Sequence, residues 1–233
     1  MFCIKIAGLT VGIDNRYRHV ENLCRDYICH GEPSFCVRVT DDEIKTEMAA
    51  ANSEVTPDYA ESICIYRAIC QTLPEYGAFL LHASVVECDG VSYAFAAASG
   101  TGKSTHTALW MRHFGERARI INGDKPILRF DGDRVLVCGT PWCGKEGHNV
   151  NAESPLRALC FLERGEKNEI TSIDGGEAVM RIFSQILLPT DVAAVDRLFA
   201  LLDRMLRQIP CYLLRCTVSD EAVRVAYNGM RGF

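Results

Sequence analysis

Apolar and polar positions alternate or run together in short blocks over residues 2–13, which predicts one or two strands at the start of the chain. Residues 19–28 fit a short strand and a short helix equally. Residues 34–39 alternate as a strand. Thr40, followed by Asp41, Asp42 and Glu43, then supplies an N-cap and an acidic first turn for a helix to about residue 51. Residues 57–73 place Ile63, Tyr66, Ile69, Cys70 and Leu73 at the 3.6-residue period, so these side chains are expected in a core, and Pro74 ends the helix. The period then changes. Residues 79–86 read as a β run, Asp89-Gly90 as a hairpin turn and residues 91–97 as the returning strand. A helix from Lys103 to about residue 113 follows, then a buried strand at 118–121 and a hairpin made of 126–130 and 134–138. Residues 139–149 form a polar, glycine-rich loop with one tryptophan, the kind of segment that carries function. Residues 155–162 read as a buried strand. Helices near 175–187 and 191–207, a strand at 212–215 and a helix from Ser219 complete the pattern. No repeat, low-complexity tract or linker divides it. It predicts one α/β domain over residues 1–233, with a mixed, partly antiparallel sheet and flanking helices; residues 1–76 pack on a core of residues 77–233.

One stretch organises the candidate chemistry. The strand at 91–97 runs into Ser99-Gly100-Thr101-Gly102, and Lys103, Ser104 and Thr105 open the next helix. Backbone N–H groups at a helix start lack intrahelical partners, and the helix dipole adds positive potential, so a strand, a glycine loop and a helix N-terminus cradle a phosphate. The spacing follows G-x-x-x-x-G-K-[ST] from Gly102 onward, with Ala97 where the first glycine belongs. A left-handed alanine costs about 1 kcal/mol, which a loop tolerates. In this reading residues 77–233 are a nucleotide-binding core with a P-loop, Lys103 reaches the β- and γ-phosphates, and the Ser104 hydroxyl meets Mg²⁺; ATP and Mg²⁺ are the cofactors expected. The plainer alternative is a strand-to-helix turn that binds nothing.

Composition narrows the classes. A formal net charge of −5 argues against nucleic acid as a partner, and no apolar run reaches the roughly 20 residues of a membrane span. No basic leader precedes a long apolar core, so no signal peptide is expected. The 12 cysteines form no C-x-x-C pair and no zinc-type spacing, which fits reduced thiols in a cytoplasmic protein.

Other residues have both a functional and a plain reading. Asp124 ends a short apolar strand downstream of the glycine loop, as a Mg²⁺ partner or general base would; Asn122-Gly123-Asp124 is also good turn chemistry. Lys125 is a phosphate clamp or half of a surface ion pair. His82 lies in an apolar run, where a hydrogen-bonded core histidine is the commoner case. Trp142, Lys145, His148 and Asn149 share the glycine-rich loop, with Lys145 the best placed to meet a transferring phosphoryl group. Glu163 ends a buried strand and completes a Mg²⁺ shell or a turn. His106 is close enough to the helix start to touch nucleotide, and Arg112 is not.

The histidine-bearing strand Leu81-His82-Ala83, the hairpin into Ser99-Gly-Thr-Gly-Lys-Ser-Thr105 and the strand ending in Asp124 resemble the HPr kinase/phosphorylase family. That family shares its nucleotide-binding core with phosphoenolpyruvate carboxykinase. The motifs also look like small bacterial HPr-kinase-related proteins, some of which phosphorylate serine on ribosomally made peptides. The resemblance implies an HPr kinase / PEP carboxykinase-like core, with Lys103 and Ser104 on phosphates and Mg²⁺ and His82 beside the reacting phosphate. It also implies oligomers, which the family often forms. Two positions depart from the family: Ala83 replaces a glycine, and Gly123 replaces the first of two adjacent aspartates. The expected activity is an ATP/Mg²⁺-dependent phosphotransferase acting on a hydroxyl of a small molecule or a peptide or protein serine. The alternative is a nucleotide-binding regulator or maturation accessory without turnover. A carboxykinase-like lyase would need substrate and metal groups from a much longer chain.

Overall fold

The computed structural model describes residues 1–51 and 54–232, and it resolves the first apolar block into a hairpin. Strands β1 (Phe2–Ile6) and β2 (Leu9–Asp14) pair antiparallel through Ala7 and Gly8, both at positive φ, the conformation that matches the twist of a two-residue hairpin. The ambiguous residues 19–28 are mostly helical: α1 (Arg18–Leu23) and a turn of 3₁₀ helix lead to the two-residue β3 (Ile28–Cys29). With β4 (Phe35–Arg38) these strands form a four-stranded sheet in the order β3-β1-β2-β4. Helix α2 (Asp41–Ala50) starts from Thr40 with both halves of a capping box, as the sequence pattern predicts. Ile65 and Ile69 of helix α3 (Pro57–Thr72), with Leu73 just after it, share one buried cluster with Ile4, Val11, Ile13 and Val37 of the sheet. Ile63 departs from the expected core. It is half-buried and lines a cleft.

The second sheet begins with β5 (Ala78–Leu80), β6 (Ser84–Cys88) and β7 (Val91–Ala96). The β run predicted at 79–86 is therefore two strands, β5 pairing elsewhere, and His82 lies in the break between them rather than on a strand. Asp89 and Gly90, both at positive φ, close the β6–β7 hairpin as expected. After β7 come α4 (Lys103–Phe114), β8 (Ala118–Asn122), β9 (Ile127–Asp131), β10 (Arg134–Cys138) and the long β11 (Glu153–Arg164). The chain ends with β12 (Glu169–Ile173), α5 (Gly175–Ile182), α6 (Val192–Gln208), β13 (Cys211–Cys216) and α7 (Asp220–Met230). The path through the sheet is β5-β9-β10-β11-β7-β6-β8, with β13 also on β11 and β12 on β13.

The directions of these strands place the chemistry. β6 runs antiparallel to both β7 and β8, while β11 runs parallel to β7. The start of β6 and the ends of β7, β8 and β11 therefore share one edge. His82, the glycine loop, Asp124 and Glu163 all emerge there, outside the carboxyl ends of parallel strands, where α/β sheets open a crevice. Residues 1–76 pack against that edge. Tyr66 of α3 stacks on Trp142 at 4.4 Å between centroids and donates to the Lys125 carbonyl at 2.7 Å. Trp142 Nε1 donates to the Ser62 carbonyl at 3.0 Å. Among the described residues, no helix is long and apolar enough to cross a membrane.

Candidate functional site

Gly100 and Gly102, at φ of 76° and 118°, turn the chain from β7 into α4. A Cβ at either position would meet nothing within 4 Å, so the backbone faces open space there. No side chain caps α4, and its first intrahelical bond runs from the His106 amide to the Gly102 carbonyl, leaving the preceding amides as free donors. Lys103 folds back under the loop. Its ammonium is nearly buried and donates to the Ala97 carbonyl at 3.0 Å, at the position where the motif expects its first glycine. Burial lowers the Lys103 pKa, and the charge of Asp124 offsets part of that shift. Ser104 and Thr105 are exposed on the same first turn, and Ser99 is exposed in the loop, whereas Thr101 is half-buried.

A second group is tied together by Asn122, which is fully buried. Its side-chain oxygen accepts from the amides of Asp124 and Lys125 at 2.9 and 2.7 Å, and its nitrogen donates to Thr140 and to the Trp142 carbonyl. The turn holding Asp124 and the loop at 139–149 are thus joined at one residue. Asp124 meets His82 Nε2 through one oxygen and Lys125 Nζ through the other, both at 3.0 Å. Burial alone would raise the Asp124 pKa. The hydrogen bond from His82 and the charge of Lys125 outweigh it and hold the carboxyl well below the usual range. The backbone of His82 is fixed on both sides, since its amide donates to Gln185 and the Ala83 amide donates to the Asp124 carbonyl.

Gly123 has a steric reason. A Cβ there would stand 2.9 Å from the Cys143 carbonyl oxygen and 3.4 Å from that of His148. The backbone of the glycine-rich loop fills the space that a second carboxylate would need.

Loop, Lys103, Ser104, Asp124, His82 and Lys145 line one cleft of about 800 Å³. Its far wall comes from the N-terminal region: His19 and Leu23 of α1 and Tyr59, Ser62 and Ile63 of α3. Nothing local in the sequence marks that wall, because the apolar period of α3 reads as core throughout. Trp142 anchors the glycine-rich loop from below instead of covering it, and Asn149 binds Thr140 and Tyr27. Lys145 and His148 are exposed.

Two expectations change. Glu163 is not brought to Ser104 and Asp124: it is held by Arg181 at 2.8 Å and Arg215 at 3.3 Å, chiefly the former lowers its pKa, and it lines a separate cavity beyond the loop. His106 does not face nucleotide. It is buried against Phe95 and accepts from Trp110 Nε1 at 3.0 Å. Arg112 pairs with Asp220 at the surface, away from the cleft as expected. Arg164, the residue after Glu163, reaches over the loop and donates to the Gly100 carbonyl at 2.8 Å. Among the described residues no three His, Cys, Asp or Glu side chains gather as a metal site.

A family model described as SynChlorMet cassette protein ScmC matches residues 59–223. The chain belongs to the ScmC family. The matched span runs from α3 to α7 and contains the glycine loop, Asp124 and the Tyr66–Trp142 stack. No curated protein matches the chain. Among solved structures, the Hpr(Ser) kinase/phosphatase from Coxiella burnetii is similar at 13% identity and a TM-score of 0.38. That likeness covers 66% of this chain and 99% of that one.

Proposed function

We propose that this ScmC-family protein is an ATP- and Mg²⁺-dependent kinase that transfers a phosphoryl group to a hydroxyl of a small molecule or of a peptide or protein serine. One observation carries the reading: the glycine loop with its buried Lys103 ammonium and the His82–Asp124 pair line the same cleft. The residues fit the cofactors. Open backbone at Gly100 and Gly102, uncapped amides of α4 and a desolvated cation suit a polyphosphate. Ser104 and Asp124 are the groups that would hold Mg²⁺, which commonly takes only one or two protein oxygens beside phosphate and water. Glu163 is left out of this set by its arginine partners.

When bound, Mg²⁺-nucleotide supplies the transferable phosphoryl group and neutralises part of its charge. Lys103 and the amides of the glycine loop and first turn of α4 are the donors that would hold that charge. Asp124, kept ionised by His82 and Lys125, is a weak base but a firm orienter. It fixes the His82 ring, and the pair receives the acceptor proton, a light demand where the transition state is loose. Lys145, exposed at the cleft rim, is a cation that could approach the phosphoryl oxygens.

The test is purified protein with Mg²⁺ and ATP, GTP or pyrophosphate, incubated with a metabolite and peptide pool and read by mass spectrometry for addition of one phosphate. Product that vanishes in Asp124→Asn and Lys103→Ala supports the kinase. The second reading, a nucleotide-binding regulator without turnover, is favoured by the backbone that occupies the second carboxylate's place beside Gly123. ATP bound by the wild type, lost in Lys103→Ala and never consumed would select it.

A further inference from the structure

Burial sorts the twelve free cysteines. It raises the thiol pKa of nine, from Cys24 to Cys216. The other three, Cys3, Cys29 and Cys36, are half-buried or exposed. They stand on one rung of the first sheet: Cys29 faces Cys3, Cys3 faces Gly12, and Gly12 faces Cys36. Register partners share a face. Ile4, Val11 and Val37, the neighbours one step along β1, β2 and β4, fill the core face, so the rung lies on the opposite one.

Spacing decides which thiols can meet. Directly opposed residues of an antiparallel pair have Cα atoms about 4.5–5.5 Å apart, within the range a disulfide spans. Cys36 lies two strands from Cys3, about 9.6 Å away, beyond the roughly 7 Å limit. The side chains agree with this division. Cys3 Sγ leans toward the Gly31 carbonyl just past β3, at 3.9 Å. Cys36 Sγ lies over Gly12, 2.7 Å from where a Cβ there would stand.

We propose that Cys3 and Cys29 are an oxidisable pair that closes to a cross-strand disulfide on the exposed face of the first sheet, while Cys36 stays a free thiol. The oxidant class is a low-molecular-weight disulfide. One thiolate of the pair attacks it, forms a mixed disulfide and releases one thiolate. The second cysteine then attacks the protein sulfur and releases the other. Two protein thiols become one S–S bond, the small disulfide is reduced to two thiols, and the two protons pass to them. The bond would fix β3, which joins β1 through two residue pairs. It would also close a loop containing β2 and α1, and α1 carries His19 and Leu23 of the cleft wall.

The full chain is equilibrated with oxidised and reduced glutathione at graded ratios, alkylated, digested without reductant and mapped by mass spectrometry. The expected product joins Cys3 to Cys29, two hydrogens lighter than the separate peptides, with Cys36 alkylated. Cys36→Ser keeps that link and Cys29→Ser abolishes it. Oxidation raises the melting temperature of the wild type by roughly 5 °C or more, and leaves that of Cys29→Ser unchanged. A Cys3–Cys36 link, or mixed disulfides with glutathione alone at every ratio, would overturn the proposal.

Discussion

His106 gives the most quantitative test of the packing beneath the glycine loop. It sits in the first turns of α4, buried against Phe95, with Trp110 donating to its ring. Burial lowers its pKa from 6.5 to about 4. An unfolded histidine binds its proton near pH 6.5, whereas the folded one refuses it down to about pH 4. Between those values the unfolded state holds more protons, so stability falls as pH falls, by about 1.4 kcal/mol per pH unit. Over that window the loss reaches about 3 kcal/mol; above pH ~6.5 this residue contributes no pH dependence, and below pH ~4 the loss is complete. His106→Gln retains an oxygen acceptor for Trp110 and removes the titration. Urea unfolding of both proteins at about pH 7.5, 6.5, 5.5 and 4.5 gives the difference directly. Wild type should lose stability relative to the variant at the stated slope only in the lower part of that range. A difference that stays flat with pH would refute the buried, neutral histidine.

Gly123→Asp restores the pair of adjacent aspartates that the resemblance expects, yet its Cβ meets the Cys143 carbonyl at 2.9 Å. It should destabilise the protein by roughly 1–3 kcal/mol and yield no gain in phosphoryl transfer, measured by melting temperature and product assay together. Lys103→Met removes a buried cation that donates to the Ala97 carbonyl, so the nucleotide-free protein should melt at the same or a higher temperature while ATP affinity drops at least tenfold by calorimetry. ATP affinity left intact in that variant would exclude Lys103 from the site. Asn122→Ala leaves the amides of Asp124 and Lys125 without their acceptor, and a loss of about 2–4 kcal/mol is expected in denaturant unfolding.

The features legible in the sequence are those set by neighbours along the chain. Thr40 and Glu43 cap α2, Asp89-Gly90 turns the hairpin, and Gly102-Lys103-Ser104 opens α4, all through contacts within a few residues. What escaped depends on distant partners. His82 sits in an apolar run that divides because β5 pairs with β9 while β6 pairs with β7 and β8. Strand β12 lies at the sheet edge with most of its residues exposed or half-exposed, so its apolar period is weak. Glu163 carries no local sign of Arg181 and Arg215, which arrive from later elements. Ile63 differs from its buried neighbours by lining the cleft, whose far wall forms when residues 1–76 dock on the sheet edge.

The bonds of Asn122 have a mechanical consequence. The turn with Asp124 and the loop with Lys145 share one buried amide, and α3 is fastened to the same loop through Trp142 and Ser62. Three sides of the cleft therefore move as one jaw. The opposite side, with Gly100 and Gly102 in open space, has the backbone freedom that the jaw lacks. Adjustment to a ligand would then fall to the glycine loop, between a core-anchored α4 and a stationary carboxylate.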